Sequence, residues 1–159
     1  MAGSDRSISA LDLGTGGTVL ELPEAHERPV HALRLQEGSA HGDTPTASHD
    51  LFLSAALDGV AKLWDLRSAS CVRRFAAHAN RVHAVGASLS PCLRYVMAGS
   101  EDRCAYLYDA QSGGLIERLR HTDVVTDVAF SPLHPQCACA GLDGRLRFFC
   151  DTPEPLPVS

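Results

Sequence analysis

The sequence predicts an all-β chain built from repeated small antiparallel sheets, and three observations carry that expectation. First, one segment recurs four times along the 159 residues: MAGSDRSISALDL at 1–13, SAALDGVAKLWDL at 54–66, AGSEDRCAYLYDA at 98–110 and CAGLDGRLRFFCD at 139–151. In each copy an Asp is followed six positions later by a bulky apolar residue, pairing Asp5 with Leu11, Asp58 with Trp64, Asp102 with Tyr108 and Asp143 with Phe149. Second, His26, His78 and His121 follow the preceding marker Asp by 21, 20 and 19 residues. Each His is followed at plus four and plus seven by apolar residues, namely Val30 and Leu33, Val82 and Val85, Val125 and Val128. Third, the markers are separated by short apolar and β-branched runs bounded by Asp-Gly, Asp-Arg, Gly-Gly or Ser-Pro, which are strand and turn signals.

Taken in order, the runs PVHALRL, LFLSAAL, VAKLWDL and CVRRFAA form one unit. RVHAVGASL, LRYVMAGS, CAYLYDA and LIERLR form the next, and VVTDVAFS, QCACAGL and RLRFFCD the last. Several runs are apolar on both faces, as expected of sheets packed on neighbours at each side. The first copy supplies the tail of a second strand plus a third and a fourth, which brings the expected total to about thirteen strands. The spacings between marker Asp residues are 53, 44 and 41, so the first period carries an insertion, QEGSAHGDTPTASHD at 36–50, whose composition reads as a solvated loop.

Four short strands per repeat of about 40 to 45 residues, with a His near the start and Trp-Asp closing the third strand, resemble the WD-repeat family of β-propellers. Trp64-Asp65 is the full dipeptide, and Leu11-Asp12, Tyr108-Asp109 and Phe149-Cys150 occupy the same place with looser matches. The usual Gly-His pair is reduced to Ala25-His26, Ala77-His78 and Arg120-His121. The resemblance implies a partial propeller of about three to three and a half four-stranded antiparallel blades over residues 1–151. These divide as a partial blade at 1–22, a blade at 26–75 with the inserted loop, a blade at 78–119, and a blade at 121–151 lacking its fourth strand; 152–159 is a Pro-rich extended tail. Propellers close with about four to eight blades. Three expectations follow: a fragment or short isoform of a longer WD-repeat protein, which is the preferred one, a half-ring that closes by dimerising, or an open array capped by another chain.

The resemblance further implies a hydrogen-bonded set of four side chains per blade, and repeat two supplies all of it in His26, Ser54, Asp58 and Trp64. An indole N–H only donates, a hydroxyl accepts and donates, an imidazole relays, and a carboxylate accepts, so the four satisfy one another in line. Repeat three keeps His78, Asp102 and Tyr108 but has Ala98 at the hydroxyl position; repeat four keeps His121 and Asp143, with Cys139 for the hydroxyl and Phe149 for the indole. Ser, His and Asp together also suggest a nucleophile with its base, but Ser54 lies inside a strand and not on the exposed turn such a nucleophile needs. The chain is therefore expected to be no enzyme and to use no cofactor.

A net charge of -5, with Lys62 the one lysine and the arginines dispersed, gives no broad phosphate-binding stripe, so neither nucleic acid nor membrane is an expected partner. The expected compartment is the cytoplasm, with the nucleus admitted. The six cysteines, 71, 92, 104, 137, 139 and 150, are expected as reduced, buried thiols. A zinc or redox-responsive module using Cys137, Cys139 and Cys150, with His134, is the alternative reading, weakened because Cys-x-Cys has no second matching pair. The polar insertion holds His41, His49, Asp43 and Asp50 with nothing to fix them together as a metal site.

WD-repeat proteins hold peptides and proteins on the loop-built faces of the ring, and the resemblance implies that role here: a non-catalytic interaction scaffold whose partners are other proteins, further blades of a longer chain, or a second copy of itself. The candidate partner-binding residues follow the marker His and Asp positions: Arg28, Asn80, Arg81 and Asp123, with Arg103 and Arg145 joined by Arg6. A guanidinium forks onto carboxylate or phosphate, so this rim suits acidic or phosphorylated groups. The insertion would lie on the opposite face.

Overall fold

The computed structural model describes residues 5–35 and 50–150. The insertion apart from Asp50, with His41, Asp43 and His49, and the tail at 152–159 lie outside the described residues. The described chain is all-β, thirteen strands in four antiparallel sheets as a partial β-propeller would have them, with no α-helix among the described residues.

The first sheet pairs β1 (Ile8–Leu11) with β2 (Thr18–Leu22). The second is a four-stranded meander of β3 (Val30–Leu35), β4 (Leu51–Ala56), β5 (Val60–Asp65) and β6 (Ser70–Phe75). The third repeats it with β7 (Ala87–Leu89), β8 (Tyr95–Ala98), β9 (Cys104–Asp109) and β10 (Leu115–Arg120), and the fourth has β11 (Val125–Phe130), β12 (Gln136–Gly141) and β13 (Leu146–Cys150). We call the second, third and fourth sheets blades two, three and four.

Each blade buries its apolar side chains against the next, so the cores lie between sheets. Ile8 and Leu22 pack with Val30, Phe52, Ala56 and Trp64; Leu53, Leu63 and Phe75 of blade two pack with Leu89, Val96, Tyr106 and Tyr108 of blade three; Met97 and Ala105 pack with Val125, Val128 and Cys139. The second strands β4 and β8 are almost wholly buried and the fourth strands β6 and β10 almost wholly exposed. β13 departs from its counterparts. Leu146 and Phe148 are 65% and 66% exposed, whereas the equivalent Ala61 and Leu63 of β5 are 0% and 4%, because no sheet covers β13 on that side among the described residues.

The sequence predicts a strand over 81–89, but β7 forms only at Ala87–Leu89. The backbone N–H groups of Arg81, Val82 and His83 all donate to one carboxylate oxygen, Glu101 Oε1, at 2.8, 2.6 and 2.8 Å, which turns that segment away from any ladder. Val82 is accordingly 75% exposed, while its counterparts Val30 and Val125 are buried. Gly86 then reaches the next blade, its N–H donating to Thr126 O at 2.8 Å; a Cβ there would sit 1.9 Å from Asp127 Oδ1 and 3.2 Å from Asp127 Cα, so a larger residue would have to displace the exposed Asp127 side chain.

The cysteines differ from expectation as well. Cys139 is buried, but Cys71, Cys92 and Cys150 are exposed, since β6, the β7–β8 turn and β13 all face solvent, and no cysteine forms a disulfide.

Candidate functional site

At one end of the sheets the loop that follows each marker His meets the turn that follows each marker Asp. In blade two, His26 Nδ1 lies 2.9 Å from Asp58 Oδ2 and His26 Nε2 lies 2.7 Å from Ser54 Oγ, while Trp64 Nε1 donates to Ser54 Oγ at 2.8 Å. Donor chemistry fixes the protons. The indole N–H donates to the serine oxygen, the serine O–H donates to Nε2, and Nδ1–H donates to the carboxylate. Burial pushes the Asp58 carboxyl up, but the imidazole bond and the N–H groups of Glu27 and Val60 outweigh it and hold it below the usual carboxylate range. Burial lowers the imidazole of His26, against the raising effect of Asp58.

Blade three is wired otherwise. Tyr108 OH lies 3.0 Å from His78 Nδ1 and accepts the His78 backbone N–H at 3.0 Å. Asp102 takes no part in that pair; it accepts the phenol of Tyr106 at 2.6 Å. Thus the expected His78, Asp102 and Tyr108 set splits into two bonds, because a phenol, unlike an indole, accepts as well as donates and can take the imidazole directly. Burial pushes the Tyr106 and Tyr108 phenols up to about 12 and the His78 imidazole down to about 4. In blade four Thr122 stands between His121 and Asp143, its hydroxyl donating to the carboxylate and lying 3.4 Å from His121 Nδ1. His121 and Asp143 are therefore coupled through a residue that carries no repeat signal in the sequence.

The residue after each marker Asp adopts a left-handed backbone: Arg6 at φ 72°, Gly59 at 77°, Arg103 at 65° and Gly144 at 77°. Two of these four turns carry arginine where glycine relieves strain. The Arg6 and Arg103 carbonyls accept the backbone N–H of His26 and His121, at 3.4 and 2.8 Å, so each turn holds the loop leading into the next blade.

Of the candidate partner-binding residues, Arg28, Arg81, Arg103 and Arg145 are exposed and Asp123 is half-buried, its carboxylate accepting the Val124 N–H. Arg145 pairs with Asp143 at 3.7 Å, and Arg6 with Glu24 at 3.4 Å. Asn80 does not belong to the rim. It is wholly buried, with Nδ2 donating to Ala56 O of blade two at 2.9 Å, so its amide ties two blades together. Glu101, which gathers three N–H groups beside Arg81, was invisible to the repeat comparison because it precedes the marker Asp and has no counterpart in blade two.

Burial raises the thiols of Cys137 and Cys139, the latter to about 12, which opposes the thiolate form a metal ligand needs. No three His, Cys, Asp or Glu side chains come together as a metal site among the described residues. No described helix is long and apolar enough to cross a membrane.

The WD domain, G-beta repeat profile matches residues 69–109 and 113–150. The chain belongs to the WD-repeat family. Its relatives include the WD repeat domain-containing protein 83 homolog of Dictyostelium discoideum, 26% identical over 65% of this chain and 32% of the relative. The nuclear distribution protein PAC1 of Coccidioides posadasii is 32% identical over 75% of this chain and 25% of the relative. The U5 small nuclear ribonucleoprotein 40 kDa protein of Dictyostelium discoideum is 30% identical over 64% and 28%. This WD-repeat chain thus spans about a quarter to a third of the length of those relatives. Among solved structures, the computationally designed Ika4 protein superposes with a TM-score of 0.74 at 19% identity, covering 94% of this chain and 82% of that one, a likeness of fold.

Proposed function

We propose that this WD-repeat chain is a non-catalytic interaction scaffold whose His-loop and Asp-turn end binds acidic or phosphorylated groups of protein partners. The observation that carries the reading is Arg103: an exposed guanidinium on a left-handed turn, at the position where blades two and four place glycine. Strain kept at a surface turn points to use of its side chain. Exposed Arg28 and Arg81 stand on the neighbouring loops, and a guanidinium recognises carboxylate or phosphate through paired bonds. The relatives' names support assembly with other proteins, one being a protein of a small nuclear ribonucleoprotein. A hydrolytic reading of Ser54, His26 and Asp58 is disfavoured, since Ser54 is 1% exposed and its oxygen is engaged by Trp64. The cytoplasm is the proposed compartment, with the nucleus admitted. Binding of wild-type chain and of Arg81→Ala and Arg103→Ala to the same set of captured proteins tests the reading: both variants are expected to lose capture, and undiminished capture by both overturns it.

A further inference from the structure

At the loop end of blade three β9 begins where β10 ends, and the register sets Arg120 opposite Cys104 and Arg118 opposite Tyr106. Paired residues share a face of the sheet, and this face looks toward blade two, since Cys104 and Tyr106 pack there with Leu63 and Phe75. Arg103 precedes Cys104 on its left-handed turn, and its carbonyl accepts the His121 N–H at 2.8 Å, which fixes the turn beside the end of β10. Three exposed guanidiniums, from Arg103, Arg118 and Arg120, are thereby gathered on one flank. All three act on the half-buried Cys104 thiol, opposing the rise that burial and Asp102 impose on it.

That charge is unpaired. Arg6, Arg34, Arg67 and Arg145 each meet a carboxylate at 3.4 to 3.7 Å, whereas none of the three guanidiniums on this flank forms an ion pair or a hydrogen bond with a described residue. Asp102 is taken by the Tyr106 phenol, and Glu117 pairs with Leu107, whose face turns toward blade four. Arg118 is held ready: its guanidinium lies over the Tyr106 ring, 5.1 Å from the centroid, and that ring is 2% exposed and tied to Asp102. A guanidinium stacked in this way uses its face and keeps its N–H edge free to donate. Like charges this close oppose folding unless an anion joins them. One cluster of three in a chain of net charge -5 suits a single anionic group and not the long backbone of a nucleic acid. A carboxylate carries one charge and takes one fork. A phosphate monoester carries about -1.5 to -2 and presents three oxygens, one for each guanidinium.

We propose that Arg103, Arg118 and Arg120 form a site for the phosphate monoester of a phosphorylated side chain on a protein partner. The proposal deepens the scaffold reading and rests on it, selecting phosphate over carboxylate and adding two guanidiniums from the outer strand β10. Its test uses the full chain with N-acetylphosphoserine amide, N-acetylglutamate amide and a single-stranded oligothymidylate as probes, followed through the arginine Nε–H signals by nitrogen-15 NMR at low salt. The phosphoserine probe is expected to shift the Arg103, Arg118 and Arg120 signals saturably in the millimolar range, at least about tenfold tighter than the glutamate probe, because forks onto a dianion are the stronger ones. Equal or absent responses, shifts spread evenly over the other exposed arginines, or tighter binding of the oligothymidylate overturns it. Arg118→Gln and Arg120→Gln are each expected to weaken the phosphoserine response about tenfold, as loss of a charged hydrogen bond does. Arg67→Gln removes the same charge from the β5–β6 turn at the other end of blade two and is expected to leave the response unchanged. Equal losses in all three variants, or no loss in the first two, overturn the proposal; if Arg118→Gln fails to fold without its stack on Tyr106, Arg120→Gln decides. Failure of the phosphate site leaves capture of carboxylate-bearing partners through Arg81 and Arg103 intact, so the two readings fail separately.

Discussion

Blades two and three share strand order and register, yet their histidines are bonded differently. His26 donates from Nδ1 to Asp58 and accepts at Nε2 from Ser54; His78 meets the Tyr108 phenol through Nδ1, and its Nε2 has no partner among the described residues. Three exchanges account for the difference: Trp64 by Tyr108, Ser54 by Ala98 and Lys62 by Tyr106. The indole of Trp64 can only donate, so a hydroxyl has to stand between it and the imidazole. The phenol of Tyr108 needs no intermediary, the hydroxyl position is filled by Ala98, and Asp102 is left to the second tyrosine. The two blades thus hold their His loops through different hydrogen-bond chains.

The comparison breaks most visibly in blade two. Ser54→Ala strands the indole N–H and an imidazole nitrogen, both buried, and is expected to destabilise the chain by about 2–4 kcal/mol in urea unfolding, followed through the single tryptophan. Blade three already carries alanine there, so a loss under about 1 kcal/mol would show that the four-residue chain is worth no more than one neutral bond.

Acid sharpens the comparison in blade three. The His78 imidazole is lowered in the folded chain from 6.5 to about 4, by burial above all, so the unfolded state takes up its proton first as pH falls. The contribution of His78 is fully present above about pH 6.5 and drains away toward pH 4, by up to about 3 kcal/mol. Urea midpoints measured across that window check it, and His78→Gln, which cannot take up the proton, should flatten the same stretch of the curve.

The smallest effect lies in the turns. Arg103→Gly gives blade three the residue that blade two has at Gly59 and is expected to raise stability by about 0.5–1 kcal/mol by relieving the left-handed backbone. A thermal melt reads the gain. Destabilisation instead would mean that the guanidinium holds the fold and that its strain is not kept for a partner.

The repeat was legible because phase survives divergence: Asp58, Asp102 and Asp143 each precede a left-handed residue, and His26, His78 and His121 are all buried. The bonding of blade two followed from residue types alone, since Trp, Ser, His and Asp satisfy one another in a single order. Blades three and four were less legible because their substitutes admit several partners. Tyr106 and Thr122 entered the bonding by position in space, and Asn80, in line with exposed Arg28 by sequence, turned inward to the carbonyl of Ala56. The shortening of β7 depended on Glu101, a local contact with no repeat signal.

By itself the sequence determined the all-β class, the number of strands and the family, because turn chemistry, strand length and the spacing of the markers are local properties of the chain. Only the tertiary structure decided which hydrogen-bond chain each blade uses and which strand faces water. Those outcomes depend on the neighbouring sheet, whose distance and side chains no single repeat encodes.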